Sequence, residues 1–181
     1  AGLNEDYQAA SHQDVKKIKT FKILKGLKFI EYPKLGLIEL DKIVEKIKKQ
    51  NGGILLIDYG HLNTLNRDTL QAVMRNKKIN INSLFNNLGK ADITSLVNFG
   101  LLEEYFKKKK LKLKKIVSQK FFLEKMGIIE RAKILEKNMN FKQLNYMSLT
   151  LMRLLHKNQM GELFKVIFAF KSKRSDFLGF E

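Results

Sequence analysis

Residues 52–60 read Gly-Gly-Ile-Leu-Leu-Ile-Asp-Tyr-Gly. The four aliphatic residues at 54–57 constrain this chain more than any other feature. A strand that alternates apolar and polar residues keeps one wet face, whereas a strand with no polar side has both faces covered. The segment before it supports a strand. Leu40, Ile43, Val44 and Ile47 recur at i, i+3, i+4 and i+7, while Lys42, Glu45, Lys46, Lys48 and Lys49 take the other faces. That spacing predicts a helix, and Gly52-Gly53 is its expected stop. A helix, a glycine stop and an all-apolar strand together predict an α/β unit with a parallel sheet, in which residues 54–58 form a buried rung.

The rest of the chain is read around that unit. Residues 1–20 are polar and of mixed charge, the pattern of a mobile lead-in. Ala1 to Asp14 carries acids and no apolar stretch, so no secretory signal is read there. The sequence opens on Ala rather than Met, which fits processing or a missing front piece. Phe21 to Tyr32 alternates apolar and basic residues up to Pro33, as a strand or two short extended pieces would. Thr69–Val73 is a second short extended piece, and Asn76–Gly89 is an Asn-rich loop with a brief helical turn. Asn98 can cap a helix with Leu101, Leu102, Tyr105 and Phe106 inside and Lys107 to Lys110 at its end, where cations suit the dipole. Leu111–Gln119 alternates like a strand. Phe121–Leu135 is helical with a break at Gly127. Phe141–Leu155 is a helix with Leu144, Met147, Leu151, Leu154 and Leu155 inside, an ordinary packing stripe. Glu162–Lys171 is the last strand, and Gly161 provides a tight turn before it. No repeat or low-complexity linker divides residues 21–181.

Composition narrows the function classes. The formal charge is +17, but 30 of the 35 basic residues are Lys and five are Arg. Arginine is the preferred bidentate reader of bases and phosphates. Lys, Asn and Ile share A/T-rich codons, so a solvated Lys-rich surface accounts for the charge, and nucleic acid is disfavoured as a partner. With no cysteine, disulfides and thiolate metal sites are excluded. No apolar run reaches the ~18 residues that a membrane span needs.

Few residues carry chemistry. No Gly-rich loop follows a strand, since Gly52-Gly53 precedes one. His12, His61 and His156 share no ligand spacing, so no metal site is expected. His61, three residues past Asp58, is read as a loop histidine in water. Ligands in open α/β sheets bind beyond the carboxyl ends of the strands. Asp58-Tyr59-Gly60 occupies such an end: Asp58 can orient a cationic group and Tyr59 can wall a pocket, or Asp58 caps the turn and Gly60 supplies a positive φ. Asp92 and Thr94 stand ahead of an amphipathic helix, where they would cap a helical turn.

Five segments, "GGILLIDYG", "DTLQAVMRNKK", "KADITSLVNF", "SQKFFLEKMGIIERAKIL" and "MGELFKVIFAFK", in this order and spacing, resemble the C-terminal half of the MidA-like methyltransferases. These S-adenosylmethionine-dependent enzymes occur in α-proteobacteria and mitochondria. The resemblance runs from about Phe29 to Lys171. It implies the C-terminal part of a class I (Rossmann-like) sheet: residues 54–58 as its fifth strand, 111–119 and 162–171 as a closing antiparallel hairpin, and a helical insertion before the last strand. The mitochondrial member is a protein-arginine methyltransferase of respiratory complex I assembly, and the resemblance implies that reaction class.

At the level of residues, the resemblance implies Asp58, Tyr59, Gly60, Gln71, Asp92 and Thr94 as matches to family motif positions near the pocket, with Asp58 and Asp92 as the catalytic candidates and Tyr59, Gly60, Gln71 and Thr94 on the substrate side. A carboxylate pair can orient a guanidinium bidentately, and Asp58 or Asp92 can contribute one arm. Ser95-Leu96-Val97-Asn98-Phe99 stands where the family has Ala-His-Val-Asp-Phe-like residues, so Leu96 and Asn98 replace a histidine and an acid. The family's Gly-rich loop and ribose-binding acid belong to an N-terminal half without counterpart here. S-adenosylmethionine is therefore implied as cofactor, with no cofactor-binding residue in this chain and no binding by the chain alone. A bare edge on strand 54–58 would be covered by residues 21–32, by a second copy, or by a separately encoded N-terminal half. A protein substrate and a location in the bacterial cytoplasm or mitochondrial matrix complete the reading. The alternative is a non-enzymatic basic module that binds nucleic acid or a protein partner.

Overall fold

The computed structural model describes residues 12–75, 77–80, 89–173 and 176–181. The helix expected before the glycines is α2, Lys34–Gln50, after a short α1, His12–Lys19. The buried residues of α2 include Leu37, Val44 and Ile47, whereas Ile43 lies outside the buried stripe. Its stop is Asn51, held left-handed at φ 54°, with Gly52 donating its N–H to the Ile47 carbonyl. A left-handed residue at this place lets the chain reverse while the last carbonyls keep donors.

Strand β1, Gly53–His61, follows at once. Its full-length partner is antiparallel: β8, Phe164–Phe170, runs in register from Gly53 opposite Phe170 to Tyr59 opposite Phe164. Parallel pairing is confined to Gly60 and His61, opposite Val97 and Asn98 of the two-residue β5. On the far edge of β8 lie β6, Lys112–Leu113, and β7, Val117–Ser118. Five strands thus form one mixed sheet in the order β5-β1-β8-β6, with β7 also on β8. A separate antiparallel sheet places β2, Gln71–Met74, between β3, Lys77–Ile79, and β4, Asp92–Thr94.

One face of the main sheet carries the core. Ile54 and Leu56 stand opposite Ala169 and Ile167, and onto them pack Val44 and Ile47 of α2 with Phe99 and Phe106 of α3, Phe99–Lys108. The opposite face is covered on one side only. Over β8, Val166 is fully buried, and Phe168 meets the rings of Phe177 and Phe180 from the chain's end. Over β1, Leu55 and Ile57 remain 44% and 41% exposed. The expectation of a strand covered on both faces is corrected here: among the described residues this half of β1 is only partly covered.

Other expectations change for physical reasons. Residues 21–32 are not a strand; they make a 3-10 turn at Lys22–Leu24 and irregular chain. Side chains satisfy their backbone instead of a ladder: the Glu104 carboxylate accepts the N–H groups of Lys22 and Ile23, and the Asn66 Oδ1 accepts those of Lys28 and Phe29. Within the lead-in expected over 1–20, residues 12–19 form α1. Residues 111–119 hold two two-residue strands rather than one. The last strand starts after a helical turn, α7, Met160–Leu163. Gly161 sits in that turn, where a Cβ would come within 2.2 Å of the Leu155 carbonyl oxygen, so close approach and not a positive φ requires glycine. In the loop expected over Asn76–Gly89, residues 77–79 are β3, and the helical turn expected there falls on 81–88, outside the described residues.

The helices expected between the closing strands are present: α4, Gln119–Lys125, then Gly127 at φ 81°, α5, Ile128–Glu136, and α6, Phe141–Leu155. None of the inner residues of α6 is fully buried.

Candidate functional site

The carboxyl end of β1 opens into a pocket of about 370 Å³. Its wall is assembled from three stretches that are distant in sequence: the irregular segment from Leu24 to Pro33, the β1 end with the loop after it at His61, Leu65 and Leu70, and Ser95–Asn98 leading into α3. Thr69, 8% exposed, binds these stretches together. The Glu31 carboxylate accepts both the Thr69 N–H, at 3.0 Å, and its hydroxyl, at 2.6 Å. The same hydroxyl oxygen accepts the Leu96 N–H at 3.0 Å. A buried hydroxyl with a donor and an acceptor role filled costs nothing in unmet hydrogen bonds, and here it fixes the spacing of three loops.

The floor is held from α3. Asn98 caps that helix, its Oδ1 accepting the Leu101 N–H at 2.9 Å, and Leu101 and Leu102 are buried beneath the pocket. Glu104, one turn on, secures the Lys22–Leu24 turn by accepting two backbone N–H groups at 2.8 and 3.0 Å. Burial alone would raise its pKa, but these two bonds and the Lys108 ammonium outweigh that and hold it below the ordinary glutamate value. Beside it, burial and the Asp41 carboxylate push the Tyr105 phenol well above its ordinary value. Its hydroxyl donates to Asp41 at 2.6 Å.

None of the six residues expected at the site lines this pocket. Asp58, Tyr59 and Gly60 lie on β1. The Asp58 Oδ1 accepts the Tyr59 N–H at 2.8 Å, and the Tyr59 ring packs on Phe164 with centroids 5.6 Å apart. Gly60 has no positive φ; it is wedged, since a Cβ would come within 2.1 Å of the Val97 carbonyl oxygen. Asp92, Thr94 and Gln71 are brought together, but in the second sheet: Gln71 faces Thr94 across β2 and β4, and Val73 faces Asp92. The helix-capping role expected of Asp92 and Thr94 is thereby corrected, because both are strand residues. His61, expected in water, is half-buried and lines the pocket, its Nδ1 bonded to the Asn63 carbonyl at 2.5 Å. Nothing in the local sequence marks Glu31, Asn66 and Thr69 as site residues. Their partners lie 27 to 38 residues away.

Residues 6–117, more than half of the chain, match the family model described as "Putative S-adenosyl-L-methionine-dependent methyltransferase". The chain belongs to that family. A native crystal structure of an uncharacterised superfamily protein from Burkholderia thailandensis superposes with TM-score 0.59 over 78% of this chain at 22% identity. A superfamily member from the same organism, bound to S-adenosyl-homocysteine, gives TM-score 0.59 over 78% at 23% identity. At such identities the likeness establishes a shared mixed α/β fold. The chain spans 38% and 37% of the length of those two proteins. No curated protein matches the sequence.

The methyltransferase family implies S-adenosylmethionine, and the described residues around the β1 pocket do not fit it. Binding its ribose and methionyl ends takes a glycine cradle after a strand and a free carboxylate. The glycine at the end of β1 is filled by Val97 and Phe99. The carboxylate on the pocket wall, Glu31, is already turned onto Thr69, from which each of its oxygens accepts a hydrogen bond. Among the described residues no group of three or more His, Cys, Asp or Glu could hold a metal ion, and no helix is long and apolar enough to cross a membrane.

Proposed function

We propose that this chain is the C-terminal portion of a MidA-like, S-adenosylmethionine-dependent methyltransferase domain and that it acts only when a cofactor-binding half is docked on it. One observation carries the reading. In a member of a methyltransferase family, the strand that carries the aliphatic run pairs with β8 from Gly53 to Tyr59 on one edge, while its other edge pairs only at Gly60 and His61 among the described residues. Leu55 and Ile57 stand open beside that edge. A free apolar edge takes up another strand. Relatives of which this chain spans 38% have polypeptide to supply one.

On this reading the sheet is the closing part of a class I arrangement, with α4–α6 as the insertion before its last strand. The acceptor is a protein arginine, in the reaction class of complex I assembly, in a bacterial cytoplasm or mitochondrial matrix. Asp58 or Asp92 is the acid proposed to contribute one carboxylate arm to the guanidinium, and Tyr59, Gly60, Gln71 and Thr94 are carried with them as substrate-side positions. Their support is their match to family motif positions. A carboxylate is the right group for a planar cation, because it bonds guanidinium bidentately.

Isothermal titration tests the reading. The chain alone is expected to show no S-adenosylmethionine binding, with binding expected once a polypeptide with a Gly-rich strand–loop–helix is added. Micromolar binding by the chain alone overturns it.

A further inference from the structure

Helix α6 is apolar on two sides. Leu144, Met147, Leu151 and Leu154 turn towards the fold and are half-buried. Phe141, Tyr146, Leu149 and Met152 turn away and are 87%, 75%, 54% and 50% exposed. At helical spacing Tyr146, Leu149 and Met152 form one row, Phe141 lies on the same outward side, and the exposed Lys142, Asn145 and Arg153 stand among them. Beside these apolar residues a groove of about 490 Å³ opens between α5 and α6, walled by Leu135, Met139 and Met147. Single exposed apolar residues are ordinary, but four on the outward side of one helix with an adjoining apolar groove mark a surface that is covered in use.

Charge identifies the cover. Lys142 and Arg153 are exposed on α6, and that helix contains no acid. Over residues 119–160, eight Lys and Arg stand against three Glu. A second copy docking through this face would set those cations against one another. Nucleic acid would meet the cations but offers no apolar surface to the apolar residues. A bilayer with anionic headgroups presents phosphate and hydrocarbon in one plane, the combination this face displays.

We infer that the α5–α6 face docks on an anionic lipid surface. Phe141, Tyr146, Leu149 and Met152 enter the headgroup–acyl boundary, while Lys142 and Arg153 lay their stems along it and reach phosphate with their charged ends. This is adsorption through one helix face and involves no span.

Flotation of the full chain tests it, with vesicles of phosphatidylcholine alone and of phosphatidylcholine containing about one-third phosphatidylglycerol. Because the chain carries +17, any anionic surface attracts it weakly. The decisive variant therefore leaves the charge unchanged: Phe141→Ser with Leu149→Ser, both exposed and removable without opening the core. The full chain is expected to float with the anionic vesicles only, less so at high salt, and the double variant to bind about tenfold more weakly with an unchanged circular dichroism spectrum. Three results overturn the inference. One is no flotation with anionic vesicles. Another is equal flotation of the double variant, which would mean adsorption by charge alone. The last is a dimer in sedimentation velocity that the double variant dissolves, which would identify the cover as a second copy.

Discussion

At the scale of single residues, the site depends on groups with no room or no freedom to change. Gly60 is the clearest. A Cβ there meets the Val97 carbonyl oxygen at 2.1 Å and the Phe99 ring at 2.9 Å, one of them backbone and the other a fully buried side chain. Gly60→Ala is expected to cost about 1–3 kcal/mol or more, as overpacking does. Gly52→Ala, whose Cβ meets nothing within 4 Å, is the matched control and should be close to neutral in the same urea titrations. Glu104 has a different signature. Its folded pKa is held below the ordinary value near 4.5, although burial opposes this, by the Ile23 and Lys22 N–H groups and by Lys108. A depressed carboxylate contributes stability that is fully present above the unfolded pKa and is lost as pH falls through the folded one. Glu104→Gln should therefore lower stability at neutral pH by about 1–2 kcal/mol. It should also flatten the acid limb of the stability profile below pH 4.5. Urea midpoints at neutral pH and at about pH 3 check both statements.

At the scale of elements, what was legible in the sequence was what is encoded locally. The stripe of α2, the break at Gly127 and the span of α6 all follow from spacing within a few residues. So did the cap at Asn98, which bonds a backbone N–H only three residues ahead. Asn98→Ala should cost about 1–2 kcal/mol by urea unfolding, towards the upper end for a cap because α3 buries Phe99, Leu101 and Phe106. What was not legible depends on distant partners. Phe21–Tyr32 has the alternation of a strand, but Glu104 and Asn66 claim its N–H groups before any neighbouring strand can. Asp92 and Thr94 have the composition of caps, but Val73 and Gln71 recruit them into a sheet. The pocket is the extreme case, because Thr69 joins Glu31 to Leu96 through contacts that no window of ten or fifteen residues contains. The aliphatic run at 54–57 told the truth about its own conformation. Its implication of two covered faces failed for the half of β1 that Leu55 and Ile57 leave open.

At the scale of the whole molecule, the open half-face and the open edge lie on the same strand, and together they make a prediction about assembly. An unpaired strand edge beside exposed apolar side chains pairs with strands it meets in water, so the isolated chain should self-associate through β1 in a concentration-dependent way. Lysines at Leu55 and Ile57 would place two charges beside that edge. They should leave the β1–β8 pairing intact, because Ile54 and Leu56 supply the buried side and the register with β8 is set along seven residue pairs. Light scattering should then show the mass of Leu55→Lys/Ile57→Lys falling towards that of a monomer, while thermal unfolding stays cooperative. The same substitution separates self-association from the docking of a second polypeptide. If the edge is where a cofactor-binding half adds its strand, the lysine pair must also abolish the S-adenosylmethionine binding that such a half restores to the unaltered chain. A lysine variant that becomes monomeric yet is still rescued for cofactor binding would mean that the completing half docks elsewhere. The open strand would then be a surface for some other contact, not the seam of a divided methyltransferase.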